Sequence, residues 1–325
     1  MLWIEAPWVL VRPMRRFTKS RIPIVSTLSF AAPSNFPGRA FLFLVYISFL
    51  SVATSAACNR EREHKKTAAS STIRDGSPCV SVCGTAAFAG CGTSERRRYA
   101  VERAIMVVGS QELSLHIPKP TTFPVPSVLV FHSAAGRTES VLEWCDELAR
   151  AGFGAVALDF YGGKIATKPD ESKTLRDGAN AREPELQRMV EQTYDLLQND
   201  SRLRSQKRFL LGWSFGAAWA TFASGFLPNV KAVVAYYGED FRMNPGLYDK
   251  TEAPILFVGA RRDTDPSPEQ LQEIADHLTG KGKSAELLLV DATHGFAERT
   301  HAGYNEQVAS NVWKKVLCFL EDDAR

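Results

Sequence analysis

The chain has little of what announces a metal site. Its six cysteines and six histidines are spread over 325 residues. Cys79, Cys83 and Cys91 follow a C-x3-C-x7-C spacing with no histidine close by, which fits no zinc pattern. No metal and no cofactor are expected. Nor do the cysteines suggest a disulfide framework, which is a device of small secreted folds. Cys145 and Cys318 each fall in a helical stretch and read as packed, reduced thiols. No internal repeat is visible, which excludes a solenoid or propeller. Residues 1–105 hold 15 Lys and Arg against 6 Asp and Glu, but no aromatic stripe is interleaved with them. Nucleic-acid binding is therefore not expected.

The remaining residues hold 24 basic against 30 acidic side chains, so the two parts differ in kind. Hydrophobic content of 45% and charged content of 23% are ordinary for a soluble globular protein. Residues 1–105 read as a leader without chemistry. Its stretch 40–57, AFLFLVYISFLSVATSAA, is an uncharged apolar run of near-membrane length after Arg39. That run suits a membrane anchor, a signal h-region or part of an organelle transit peptide. An over-extended start is the plainer alternative, with Met106 as initiator. Residues 59–105 are polar, rich in Ser and Arg, and without apolar periodicity, which is the composition of disorder. A cytoplasmic location is expected unless the leader anchors, exports or targets the chain, and a membrane is a partner only in that case.

From Met106 onward, strand and helix patterns alternate. QELSLHIP (111–118) alternates as a strand does, and SVLVFH (127–132) is a short apolar run. ESVLEWCDELARAG (139–152) has helical spacing and ends at Gly152, a C-terminal cap. GAVALDFYG (154–162) reads as a buried strand, and the polar stretch 164–183 as a loop or short cap. PELQRMVEQTYDLLQND (184–200) is an amphipathic helix. Strands follow at 208–212, 230–238, 254–260 and 285–292, with helices after 214, from 268 to 280 and from about 303 to 320. This alternation predicts a doubly wound, mostly parallel α/β sheet with helices on both faces, over residues 106–325.

Three strand ends carry chemistry, as open α/β sheets place working residues beyond the carboxyl ends of strands. The first is LLGWSFGAAWA, where Ser214 stands between Gly212 and Gly216 on a tight strand-to-helix corner. The second is GARRDTDPSP, offering Asp263 or Asp265; Asp263 is nearer the strand end and is favoured. The third is DATHGFAER, with His294. Serine is a poor nucleophile until a base takes its proton, imidazole titrates near neutrality, and a carboxylate behind the ring fixes its tautomer. The order Ser, Asp, His is that of an α/β-hydrolase. An oxyanion site needs two backbone N–H groups, for which Phe215 and Ala134 are the candidates. His132 ends a strand nearby and reads as structural. His64, His116, His277 and His301 have no such placement.

These pieces resemble the dienelactone hydrolase family of the α/β-hydrolase fold. The resemblance covers about residues 110–322 and rests on VLVFHSAAG, LARAGFGAVALDFYGG, LGWSFGAAWA, VVAYYG, PILFVGARRDTDP and THGFA. It implies that Ser214, Asp263 and His294 are the catalytic residues, with Phe215 and Ala134 at the oxyanion positions. Two departures stand out. Ser214 and Ser133 occupy positions held in the founding enzymes by cysteine and glutamate. Glu298, followed by Arg299, stands where those enzymes carry an arginine for a substrate carboxylate. The resemblance thus implies a serine-dependent hydrolase of small carboxylic esters or lactones rather than of dienelactone itself. A thioesterase or small peptidase on the same fold, or a non-catalytic binding member, is the alternative.

Overall fold

The computed structural model describes residues 98–119, 121–238 and 249–322. The apolar run 40–57, and the leader up to residue 97, lie outside the described residues. Among the described residues no helix is long and apolar enough to cross a membrane.

The strands are β1 (Ala100–Val108), β2 (Gln111–Lys119), β3 (Ser127–Phe131), β4 (Gly154–Ala157), β5 (Arg208–Trp213), β6 (Val230–Tyr236), β7 (Ile255–Ala260) and β8 (Ala285–Val290). The helices are α1 (Glu139–Arg150), α2 (Pro169–Asn180), α3 (Glu183–Asn199), α4 (Phe215–Ser224), α5 (Pro268–Gly280) and α6 (Glu306–Asp322). One eight-stranded sheet has the order β1-β2-β4-β3-β5-β6-β7-β8. β1 and β2 are antiparallel to each other, β2 is antiparallel to β4, and the other pairs are parallel.

The continuous apolar runs form the sheet's centre because each is covered on both faces, as parallel strands must be. β3 and β6 show the division. Leu129, Phe131, Val233 and Ala235 point to a core shared with Val190 of α3, Ala220 of α4 and Leu278 of α5. Val128, Val130, Ala232 and Val234 point to the opposite core, with Leu148 of α1 and Val316 of α6. The predicted cap of α1 is present: Gly152 takes φ +99°, and its N–H bonds to the Ala149 carbonyl.

Four expectations need correction. The folded unit does not begin at 106, because β1 starts at Ala100 and pairs with β2 from Ala100↔Lys119 onward. Glu102 and Arg103 hid this strand in the sequence, yet an edge strand tolerates charge on its open side. Here Arg103 reaches across to Asp146 of α1 at 2.7 Å. β4 ends at Ala157, five residues earlier than predicted. Asp159 turns the chain out of the sheet, its carboxylate accepting the Tyr161 and Gly163 N–H groups at 3.0 and 2.7 Å. The polar stretch 164–183 contains a full helix, α2, of which only Ala179 is buried; an almost wholly solvated helix leaves little apolar period to read. Cys318 is disulfide-bonded rather than reduced, whereas Cys145 is free and buried. Pairings between distant cysteines cannot be read from their spacing.

Candidate active site

β5 ends at Trp213 and α4 begins at Phe215, so Ser214 alone makes the corner. It does so at φ +51° and ψ −119°, a strained conformation for a residue with a side chain. The corner is possible because its flanks have no side chains. A Cβ on Gly212 would lie 2.1 Å from the Gly216 carbonyl oxygen, and one on Gly216 would lie 2.3 Å from that of Phe131. The Ser214 N–H is tied to the Tyr236 carbonyl at 2.9 Å. Beneath the corner, Phe215 stacks on Tyr161 and meets Phe160 edge-on, which backs the helix start with rigid aromatic packing.

Asp263 leaves the end of β7 in a turn closed by its N–H to the Ala260 carbonyl, 3.1 Å. Its carboxylate is 4% exposed. One oxygen, Oδ1, accepts the Asp265 N–H at 3.1 Å, and the other, Oδ2, lies 2.8 Å from His294 Nδ1. His294 Nε2 then lies 3.2 Å from Ser214 Oγ. The structure thus brings Ser214, His294 and Asp263 into one hydrogen-bonded line, while Asp265 supplies a backbone donor to it. The turn after β8 that carries His294 is clamped to α1. Trp144 Nε1 donates to the Ala297 carbonyl at 2.7 Å, and the Arg299 N–H donates to Ser140 Oγ at 2.8 Å. Tyr237 packs its ring 4.8 Å from that of His294, and its hydroxyl reaches Glu298 Oε1 at 3.3 Å. Burial first, and the Glu298 charge second, drive the Tyr237 pKa well above its ordinary value. Its phenol therefore stays protonated and donates.

Ser214 and His294 open on a cavity of about 810 Å³, within the usual range for small-molecule sites. Ala134 and Ser133 line one side of it, and Ser172, Lys173 and Arg176 of α2 line another. The stretch read as a loop or short cap is therefore a helical wall. Phe215, at the first position of α4, has one of the N–H groups that a helix leaves unused by its own ladder. Glu298, 4% exposed, also lines the cavity. Arg299 turns outward to Glu143, at 2.9 Å.

The remaining histidines divide by environment. His132 is fully buried, its Nδ1 donating to the Ser133 carbonyl at 2.7 Å and its Nε2 accepting the Phe160 N–H at 3.0 Å. Desolvation presses its pKa down, so it is a neutral strut under the loop that carries Ala134. His116 bonds Ser114 and Asp146 at 2.8 and 2.7 Å in a buried tie between β2 and α1. His277 pairs with Asp249. His301 is the one misplaced by the sequence reading, since it lines the cavity with its ring centroid 5.9 Å from that of His294. Seven positions separate the two along an irregular loop, a spacing with no sequence period to reveal it. Among the described residues, no group of three or more His, Cys, Asp or Glu side chains is gathered as for a metal ion.

The sequence profile of the dienelactone hydrolase family matches residues 114–323. The chain belongs to the dienelactone hydrolase family. With that membership it is a hydrolase of ester or lactone bonds, built on the α/β-hydrolase fold. Among curated relatives, a protein of Aquifex aeolicus named "Putative carboxymethylenebutenolidase" is 27% identical over 203 residues, covering 60% of this chain and 87% of its own. Among solved structures, dienelactone hydrolase from Anabaena variabilis superposes with a TM-score of 0.51 at 21% identity, covering 69% of this chain and 97% of its own. A dienelactone hydrolase-like promiscuous phosphotriesterase from metagenomic libraries reaches a TM-score of 0.61 at 18% identity, covering 69% and 98%. At these identities the structural likeness speaks for the fold alone.

Proposed function

We propose that this family member hydrolyses small carboxylic esters or lactones through a serine-bound acyl-enzyme. The observation that carries the reading is the unbroken line from Asp263 through His294 to Ser214 at the cavity's edge. His294 Nε2 takes the Ser214 proton as Oγ bonds to the substrate carbonyl carbon. The carbonyl oxygen becomes an oxyanion held by the N–H groups of Phe215 and Ala134. The C–O bond to the leaving alcohol breaks, and His294 returns its proton to that oxygen. Water, activated by the same imidazole, attacks the acyl group and restores Ser214. Asp263 keeps the proton on Nδ1, so that Nε2 is the basic nitrogen, and stabilises the imidazolium between the two steps. The sequence of steps needs no cofactor.

The substrate is a small molecule, since the cavity is of ligand size and its α2 wall is part of the same folded unit. We place that catalytic unit at residues 98–322, with everything upstream a leader dispensable for the reaction. Turnover of a panel of p-nitrophenyl esters and lactones tests the reading. Wild type should hydrolyse members of both classes and Ser214→Ala neither; turnover that survives Ser214→Ala would refute it.

A further inference from the structure

A second imidazole stands in the cavity, outside the line that performs the chemistry. His301 lies on the loop between β8 and α6, and its ring is held by two glycines. A Cβ on Gly295, which takes φ +73°, would sit 2.2 Å from His301 Nδ1. The Gly303 N–H donates to that same Nδ1 at 3.0 Å. An Nδ1 that accepts a hydrogen bond carries no proton, so the neutral ring carries its hydrogen on Nε2. The Nδ1 edge faces the Gly295 and Gly303 backbone, which leaves the Nε2 edge for the cavity that His301 lines. Desolvation first, and the His294 charge second, lower the His301 pKa, which favours the neutral donor form near pH 7.

Direction follows from the neighbours. In the acyl-transfer reaction proposed above, the oxyanion lies toward Ala134 and Phe215. The leaving alcohol departs on the side of the imidazole that must protonate it. His301 is packed against that imidazole, at 5.9 Å between ring centroids and a tilt of 60°.

We propose that His301 is a specificity-determining residue that donates its Nε2 hydrogen to a second oxygen on the alcohol side of the substrate. The preferred substrates are esters whose alcohol carries an ether, hydroxyl or carbonyl oxygen a few atoms beyond the scissile bond. The inference rests on the ester-hydrolase reading, and its test separates the two.

The test compares the 2-methoxyethyl and n-butyl esters of one small acid, which match in length and differ in one accepting oxygen. A phenyl ester of the same acid, with no second oxygen on its alcohol side, serves as reference. Wild type should favour the methoxyethyl ester in kcat/KM by roughly fivefold to tenfold, the size of one good hydrogen bond. His301→Phe should abolish that preference by lowering the methoxyethyl value toward the n-butyl one, with a smaller change on the phenyl ester, which has no second alcohol-side oxygen to lose. His301→Gln, which restores an N–H donor, should recover part of it. A preference unchanged in His301→Phe would overturn the assignment. So would equal loss on all three esters, which would make the ring a prop for His294. Absence of Ser214-dependent turnover of every ester would instead overturn the underlying reading, and this one with it.

Discussion

Replacing Asp263 by asparagine changes one atom, and the surrounding bonds dictate which way the new amide turns. Oδ1 accepts the Asp265 N–H at 3.1 Å, so an amide at this position must keep its carbonyl oxygen there. Its NH2 is then directed at His294 Nδ1, where Oδ2 now lies at 2.8 Å. A donor facing Nδ1 forces that nitrogen to accept and moves the ring proton to Nε2, 3.2 Å from Ser214 Oγ. The serine then faces an N–H instead of a base. In a comparable triad, the wrong tautomer costs about 10⁴-fold in kcat, or about 5 kcal/mol of transition-state stabilisation. We expect a loss of this order in Asp263→Asn. Asp265→Asn keeps the backbone donor at an exposed position, and its rate should stay within about threefold of wild type. The assay is kcat on p-nitrophenyl acetate from pH 6 to 9, with circular dichroism to show that both variants fold. Asp263→Asn retaining a tenth of the wild-type rate, or Asp265→Asn falling as far, would refute the reasoning.

Gly216→Ala should destabilise by about 1–3 kcal/mol in urea and lose activity, because its Cβ meets backbone oxygens of Phe131 and His132 that cannot rotate away. Gly178→Ala in α2, with open space around it, should instead stabilise by about 0.5–1 kcal/mol. A chain beginning at Met106 should melt below one beginning at Arg98, because it loses six residues of β1 and the Arg103–Asp146 pair. Equal melting of the two would show that β1 adds nothing. Burial lowers the pKa of His132 and of His116, while the unfolded imidazoles titrate near 6.5. The folded state therefore binds fewer protons, so its stability is complete above about pH 6.5 and falls as pH drops below it. The slope should be at most about 1.4 kcal/mol per pH unit for each such group. Urea unfolding at several values between pH 7.5 and 5 measures it, and a slope unchanged by His132→Gln would contradict the part given to His132.

Much of the fold was legible because the central strands are uniformly apolar and the helices between them keep a 3.6-residue period. β3, β5, β6 and β7 lie within a residue or two of their predicted bounds, and α5 begins at Pro268 and ends at Gly280 as read. The pieces that escaped are those whose burial is thin or one-sided. β1 is an edge strand with Glu102 and Arg103 in it, and α2 buries a single alanine. At the site, Ser214 and His294 were readable because Ser214 directly follows the buried strand β5 and His294 comes shortly after the apolar but half-buried strand β8. Asp263 was separable from Asp265 only by its nearness to the strand, a preference the 2.8 Å contact with His294 supports. Tyr237 and His301 meet the His294 ring, and Glu298 meets Tyr237, through loop geometry that no local period encodes.

The central claim is that Ser214 forms a covalent bond during turnover, and labelling tests it most directly. Full-length protein treated with an active-site-directed fluorophosphonate should gain the mass of one phosphonyl group. Peptide mapping should place that mass on the segment containing Ser214, and excess ester substrate should slow its appearance. His294→Ala should slow the labelling by orders of magnitude, since the hydroxyl then has no base. A label found on any other residue, or labelling of Ser214→Ala at the wild-type rate, would contradict the account.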